Sequence, residues 1–302
     1  MARVTSFRPA LVVLALLGAA ALPVAGYLQP AVAEPASEQR SYVAAEPACT
    51  IKDSRLDSVS GMAVRPDGTW VINDRGAVLY RLRADCSVAE VRDLGPELTK
   101  VGTTLVDVED LALGPDGWLW LSDSGGNRTP RSSITLVGYK DATTPVKVVT
   151  LKYSTGTHDT EALMFDAIGR VVVVTKVAGS GPAEVFASRL PVGAGASNLR
   201  LVGTVQLATP AGARPGARLV TAGDVDRTGT YVVLRTYNNA WEFDAPDGDV
   251  AAAIVSGRPR LVPLPTTKQG EAIAYTLDGS ELLTSGEGSP VNLDRVQIVN
   301  GR

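Results

Sequence analysis

Histidine and cysteine are almost missing from this chain, with one of the first and two of the second in 302 residues. That scarcity excludes zinc sites built from four Cys and His ligands, and it leaves thiol catalysis without an assisting histidine to spare. No Gly-x-Ser-x-Gly elbow, His-Glu-x-x-His pair or phosphate-cradling glycine loop is present, so nucleophilic serine chemistry has no support. A surplus of one charge is lacking too. Lys plus Arg number 29 against 32 for Asp plus Glu, without a basic run, which argues against nucleic acid as a partner. Sustained helical periodicity is absent beyond the first residues, so the fold class expected is all-β.

What is present is a repeat. The stretch from Asp107 to Arg128 reads as acid, strand, tight turn, strand and polar loop, with Pro115-Asp116-Gly117 supplying the turn chemistry. Aligned on the turn glycine, the same unit recurs at Gly68, Gly169, Gly229 and Gly279, roughly 50 to 60 residues apart, the spacing of propeller blades. Two further short β-rich segments follow most hairpins. The reading is a β-propeller of five four-stranded blades, with six as the alternative. The last unit is one strand short at Arg302, and the segment from Tyr42 to Ile51 has a strand's composition without a hairpin partner. A ring must hide its edges, so the N-terminal strand is expected to complete the fifth blade.

The chain opens with Arg3 and Arg8 before an apolar run from Ala10 to Gly26, and Ala31-Val32-Ala33 has the form of a signal-peptidase site. Residues 1–33 therefore read as a signal peptide, 34–40 as a flexible linker and 41–302 as a single propeller domain. A secreted or extracytoplasmic location follows, with the membrane involved only if the signal segment stays uncleaved. Cys49 and Cys86 are expected to pair in that oxidising compartment and to hold the N-terminal strand to the first blade.

In a propeller the position eight before each turn glycine lies around the channel mouth, and here it is Ser60, Glu109, Glu161, Thr221 and Glu271. Asp107, His158, Asp159 and Gln269 lie just upstream of this ring. The returning loops add Asn73, Asp74, Asp123, Asn127, Arg128, Lys176, Arg235 and Glu287. Crowded carboxylates repel unless a cation sits among them, and oxygen-only ligands suit a hard ion. Calcium is the first candidate and magnesium the second, with Glu109, Asp123, Asp159, Glu161, Glu271 and Glu287 as ligands. Asn73, Asp74, Asn127, Arg128, Lys176 and Arg235 are candidates for contacting a bound molecule, and His158 with Glu161 for acid–base work.

With those residues in view, the chain resembles the exported bacterial β-propellers of the phytase-like and esterase-like group. The resemblance lies at Ile72-N-D-R-G, Val108-E-D-L-A-L-G-P-D-G, Ser122-D-S-G-G-N-R, His158-D-T-E-A-L and Gln269-G-E-A-I-A. It implies a calcium-supported site at the channel mouth and hydrolysis of phosphate esters. More distantly the chain is similar to gluconolactonase-like propellers, which implies a divalent ion held by Glu, Asn and Asp. Two functions stand side by side. One is a monomeric binding module that presents the site to a small molecule, a cell-surface glycan or a protein. The other is a metal-dependent hydrolase of phosphoesters, lactones or esters.

Overall fold

The computed structural model describes Met1 and residues 40–126, 129–179 and 181–300. The expected signal peptide, most of the linker, Asn127 and Arg128 lie outside them. Among the described residues no helix is long and apolar enough to cross a membrane.

Strands β1 (Ser41–Tyr42) and β2 (Glu46–Ile51) open the fold. The first repeat forms β3 (Val59–Arg65), β4 (Gly68–Asn73), β5 (Val78–Leu82) and β6 (Val88–Asp93), followed by a short helix, α1 (Gly95–Lys100). The second forms β7 (Val108–Leu113), β8 (Leu119–Asp123), β9 (Ser133–Tyr139) and β10 (Lys147–Tyr153), and the third β11 (Thr160–Phe165), β12 (Arg170–Thr175), β13 (Ala183–Pro191) and β14 (Asn198–Val205). The fourth is β15 (Val220–Val225), β16 (Tyr231–Thr236), β17 (Ala240–Asp244) and β18 (Arg260–Val262), with helix α2 (Val250–Ser256) before its last strand. The fifth supplies β19 (Gly270–Tyr275), β20 (Glu281–Gly286) and β21 (Val291–Val299).

Each repeat is an antiparallel meander in chain order, and β1 and β2 both pair antiparallel with β21. The N-terminal strands thus complete the last sheet, as its missing strand requires. The second and third meanders also join edge to edge through a short parallel pairing of β10 with β14. The innermost strands β3, β7, β11, β15 and β19 are neighbours in that order, and β19 returns to β3. That cyclic arrangement of meanders is propeller-type, all-β architecture.

The repeat glycines have a common cause. Gly68, Gly117, Gly169, Gly229 and Gly279 all lie at positive φ, between 67° and 139°, where an L side chain is strained. Apolar residues that alternate along the strands fill the seams between successive meanders with one cluster each. Trp70, Leu111 and Tyr139 sit in the first seam, Trp120, Phe165 and Phe186 in the next, then Met164, Leu234 and Phe243, then Ile273, Tyr275 and Val296. Ile51, Met62 and Ala274 close the ring between last and first.

The two helices depart from the all-strand expectation. Helix α2 is N-capped by the Asp249 carboxylate, which accepts from the Ala252 amide, and buries Val250, Ala251 and Ile254 on the third seam. Its alanine-rich sequence is too short to show a period.

Cys49 and Cys86 form a disulfide, with Cα atoms 5.7 Å apart, linking β2 to the turn between β5 and β6. The closed loop spans a sequence separation of 37 residues. Chain-entropy reasoning then gives about 4 kcal/mol of stabilisation. The double variant Cys49→Ser, Cys86→Ser is expected to lose about that much in urea unfolding. A loss under about 1 kcal/mol would show that the pairing of β2 with β21 closes the ring unaided.

Candidate functional site

One backbone device assembles the ring. In each of the five inner hairpins the ladder register shifts across one residue of the inner strand, between Val59 and Gly61, Val108 and Asp110, Thr160 and Ala162, Val220 and Ala222, and Gly270 and Ala272. The residue skipped is Ser60, Glu109, Glu161, Thr221 or Glu271. A bulge re-aims the side chain of its extra residue. All five ring members are buried, at 5 % exposure or less.

The two hydroxyl members stitch neighbouring repeats together: Ser60 Oγ donates to the Glu109 carbonyl at 2.7 Å, and Thr221 Oγ1 to the Gly270 carbonyl at 2.9 Å. The three glutamates carry the charge. Glu161 Oε1 accepts from Lys176 Nζ at 2.8 Å, while its Oε2 is buried without a partner. Glu271 Oε1 accepts from Gln269 Nε2 at 2.8 Å, and its Oε2 is likewise buried and unpartnered. Gln269 also donates to Glu287 Oε1 at 2.6 Å. Glu109 lies against Gly125, where a Cβ would stand 2.1 Å from Glu109 Oε1 and 2.5 Å from Asp107 Oδ2. Gly125 is therefore a steric requirement of packing this loop onto carboxylates, while Gly126 lies against the His158 carbonyl and its amide donates to Asp159 Oδ1 at 2.7 Å.

Lys176 is the counter-ion of the cluster. Its ammonium sits 5.0 Å from the Tyr237 ring centroid and acts electrostatically on Glu109, Glu161 and Glu271 together. Burial opposes its charge, yet the carboxylates hold its pKa above the usual lysine value. Arg235, buried beneath Gly270, adds a second positive charge that acts on Glu271, and two cations still fall short of three glutamates. Burial, then the charges of Glu161 and Asp107, push Glu109 up to about 10. Burial and Glu271 raise Glu161 well above the carboxylate range, and burial lifts Glu271 to about 7 against the pull of Lys176 and Gln269. Glu109 thus holds a proton at neutral pH.

Several expected site residues take other work. Asp123 anchors the loop: its oxygens accept from Arg131 at 3.1 Å and from the amides of Val106 and Asp107. His158 is committed at both ring nitrogens, Nε2 to the Thr155 carbonyl at 2.6 Å and Nδ1 to Glu184 at 3.0 Å, and it packs on Tyr153 and Phe186. These contacts fix the imidazole against the recess wall. Arg235 is fully buried and faces no solvent. It donates to the Ala272 carbonyl at 3.2 Å, and its guanidinium lies where a Cβ on Gly270 would stand 1.9 Å from Nη2. Asn73 bridges loop backbone at Arg55 and Ser58, and Asp74 sits on the rim beside Arg75 at 3.3 Å. Tyr237 escaped sequence reading; its only signal is an aromatic in a returning loop two residues after Arg235.

Beside the ring, on the same face, is a recess of about 370 Å³ lined by Pro130, Thr157, Asp159, Lys176, Ala178 and Glu184. At the hairpin-turn end of the channel a second cavity of about 170 Å³ is lined by Asp224, Asp226, Phe165 and Tyr275. There Asp226 is consumed by the amides of Thr230 and Tyr231, and Asp224 by that of Tyr275.

This site and ring define a protein of the propeller type. Neither any family model nor any curated protein matches the chain. Among solved structures it is similar to a glutaminyl cyclase of Myxococcus xanthus, at 13% identity and TM-score 0.50, covering 86% of this chain and 97% of that one. It is also similar to a gluconolactonase of Xanthomonas campestris, important in glucose secondary metabolic pathways, at 17% identity and TM-score 0.46, over 80% and 72% of the two chains. A putative gluconolactonase matches at 14% identity and TM-score 0.49, over 88% and 94%. Identities this low speak to fold alone.

Proposed function

We propose that this is an exported, five-bladed propeller whose channel mouth takes up a hard divalent cation, calcium first and magnesium second, and hydrolyses an uncharged ester or lactone there. The observation that carries the reading is the pair of buried, unpartnered oxygens, Glu161 Oε2 and Glu271 Oε2, which neither Lys176 nor the buried Arg235 satisfies. A buried carboxylate oxygen without a donor is costly, and a cation satisfies it. The donor set of Glu109, Glu161 and Glu271 is all oxygen, as calcium and magnesium prefer. Such an ion supplies Lewis-acid polarisation of a carbonyl oxygen and acidification of water.

The chain's own groups have distinct parts in this reading. Glu109 holds a proton at neutral pH while no ion is bound and releases it to become a ligand when one binds. Gln269 fixes the orientation of Glu271 and Glu287 through one amide nitrogen. Charge favours a neutral substrate over a phosphate ester, because Lys176 is spent on Glu161 and Arg235 is walled off. A polyanion would meet carboxylates. The commitment of His158 leaves a second reading, in which the same cation presents a small molecule or surface glycan without turnover.

Thermal unfolding after chelation, then with calcium restored, is expected to show stabilisation of roughly 3 kcal/mol at a hundredfold excess over Kd. The gain should vanish in Glu161→Gln. A panel of lactones, carboxylic esters and phosphate esters then separates the readings. Turnover of lactones or esters that is lost in Glu109→Gln supports the hydrolase, and calcium binding with no turnover supports the module. No shift with any divalent ion would reduce the ring to an internal ion-pair cluster.

A further inference from the structure

We propose that Lys176 is a tethered competitor cation: its ammonium occupies the place of a divalent ion among Glu109, Glu161 and Glu271, and it moves into the adjoining recess when such an ion binds. The proposal rests on the cation-site reading above and assigns to one residue the affinity of that site.

Three observations carry it. The ammonium already does what a bound ion would do, since it contacts Glu161 Oε1 at 2.8 Å and acts electrostatically on Glu109 and Glu271. Among the described residues no three Asp, Glu, His or Cys side chains are placed to hold a metal, so an entering ion must draw these carboxylates together. Yet Glu161 and Glu271 are 1 % and 4 % exposed and each keeps a buried oxygen without a partner. Lys176 contacts only Glu161 and Arg235 acts on Glu271 without bonding it, so these buried oxygens remain open to a further cation. Two cations cannot share that space, because a unit charge repels a divalent ion strongly at contact distances in a buried setting.

The displaced ammonium has somewhere to go. Lys176 lines both the ring and the recess, and the recess offers Asp159, whose Oδ1 takes the Gly126 amide, and Glu184, whose Oε2 takes His158. Each of these carboxylates has a second oxygen for an incoming donor. A lysine head on a flexible four-carbon stem suits such an exchange, and a planar guanidinium does not. The exchange moves a charge between two acidic places and leaves neither without a counter-ion.

Calorimetric titration of the purified protein with calcium chloride at fixed pH tests it, comparing wild type with Lys176→Met, which keeps an unbranched stem of similar length and removes the ammonium. Calcium is expected to bind Lys176→Met on the order of tenfold or more tightly than wild type. Binding seen only in Lys176→Met also supports the proposal, as its limiting case. Wild-type binding that is unchanged or weaker in Lys176→Met overturns it while leaving the cation site standing. No binding by either protein ends both readings. Lys176→Gln stands in if the methionine variant fails to fold. A second comparison uses Glu184→Gln, which removes an acceptor from the recess. It should weaken calcium binding severalfold beside Lys176 and leave it unchanged beside Met at that position. Equal effects in the two backgrounds would mean that the ammonium does not travel to the recess.

Discussion

Replacing Glu242 with glutamine is expected to cost about 3 to 5 kcal/mol of stability, read as a lower midpoint in urea unfolding. Glu242 lies on β17, fully buried, and its two oxygens accept from four donors. Arg40 Nη1 is 2.7 Å away, Tyr42 OH 2.5 Å, Tyr275 OH 2.8 Å and Arg260 Nη2 3.0 Å. Two of these donors belong to the N-terminal segment that completes the last sheet, and two to the walls it closes against. Arg260 keeps a second partner in Asp244, with both guanidinium contacts at 2.7 Å. Arg40 does not. Apart from its stacking over the Tyr231 ring, among the described residues its direct ion pair is with Glu242 alone, and its side chain is 7 % exposed. Removing the carboxylate charge strands that guanidinium in a low-dielectric seam, which is the costly half of breaking a buried pair. The double variant Arg40→Met, Glu242→Gln should recover part of the loss, because it removes the stranded charge too. A single-variant loss under about 1 kcal/mol would mean that the N-terminal strand is held by its β21 ladder alone.

Without divalent ions, stability is expected to fall as the pH rises from about 4.5 through neutrality, opposite to the trend of a protein held by surface carboxylate ion pairs. In the fold Glu109 keeps its proton up to about pH 10 and Glu271 up to about 7, from an ordinary 4.5, and Glu161 is displaced in the same direction. The folded state therefore binds more protons than the unfolded chain within that window. The stabilisation is complete below the unfolded value and is lost as pH rises through the folded ones. Each proton so held contributes a slope of about 1.4 kcal/mol per pH unit. Chemical denaturation in chelator at pH 5, 6.5 and 8 measures the trend, and Glu109→Gln should flatten it. Saturating calcium should shrink or reverse the slope, since a bound ion favours the ionised carboxylates. A profile that rises from pH 5 to 8 in chelator would show that the three glutamates are ionised without a cation.

The same cluster explains why acidity at this mouth is chemically useful. Burial raises all three glutamates while Lys176 pulls them the other way, so proton-bearing carboxyls stand beside an ammonium at neutral pH. Environments that push like groups apart in this way mark candidate acid–base sites.

Much of this was legible from residue order. Five glycines in step announced five hairpins, because only a residue without a Cβ tolerates the positive φ those turns require. Counting eight residues back from each glycine reached Ser60, Glu109, Glu161, Thr221 and Glu271, because strand length and turn length are shared between repeats. The strand missing from the last repeat and the two cysteines announced how the ring closes, and the ladder on β21 and the Cys49–Cys86 bond are that closure. Residue order did not reveal which neighbours compete for each side chain. Asp123 reads as a metal ligand, and the fold sets Arg131 and two amides on it; His158 reads as a base, and the fold sets Glu184 and the Thr155 carbonyl on its nitrogens. Arg235 counts as a loop cation by position, yet the chain folds its guanidinium beneath Gly270.

The sequence by itself determined the repeat, the turn chemistry, the acidic ring and the means of closing it, because these depend on periodicity and on backbone preferences local to each unit. Only the tertiary structure decided that a bulge aims every ring residue inward, that Lys176 stands among three glutamates from three repeats, and that Glu242 gathers four donors from separate parts of the chain. Those outcomes depend on distances between segments far apart in sequence, and burial turns such distances into charge states and binding capacity.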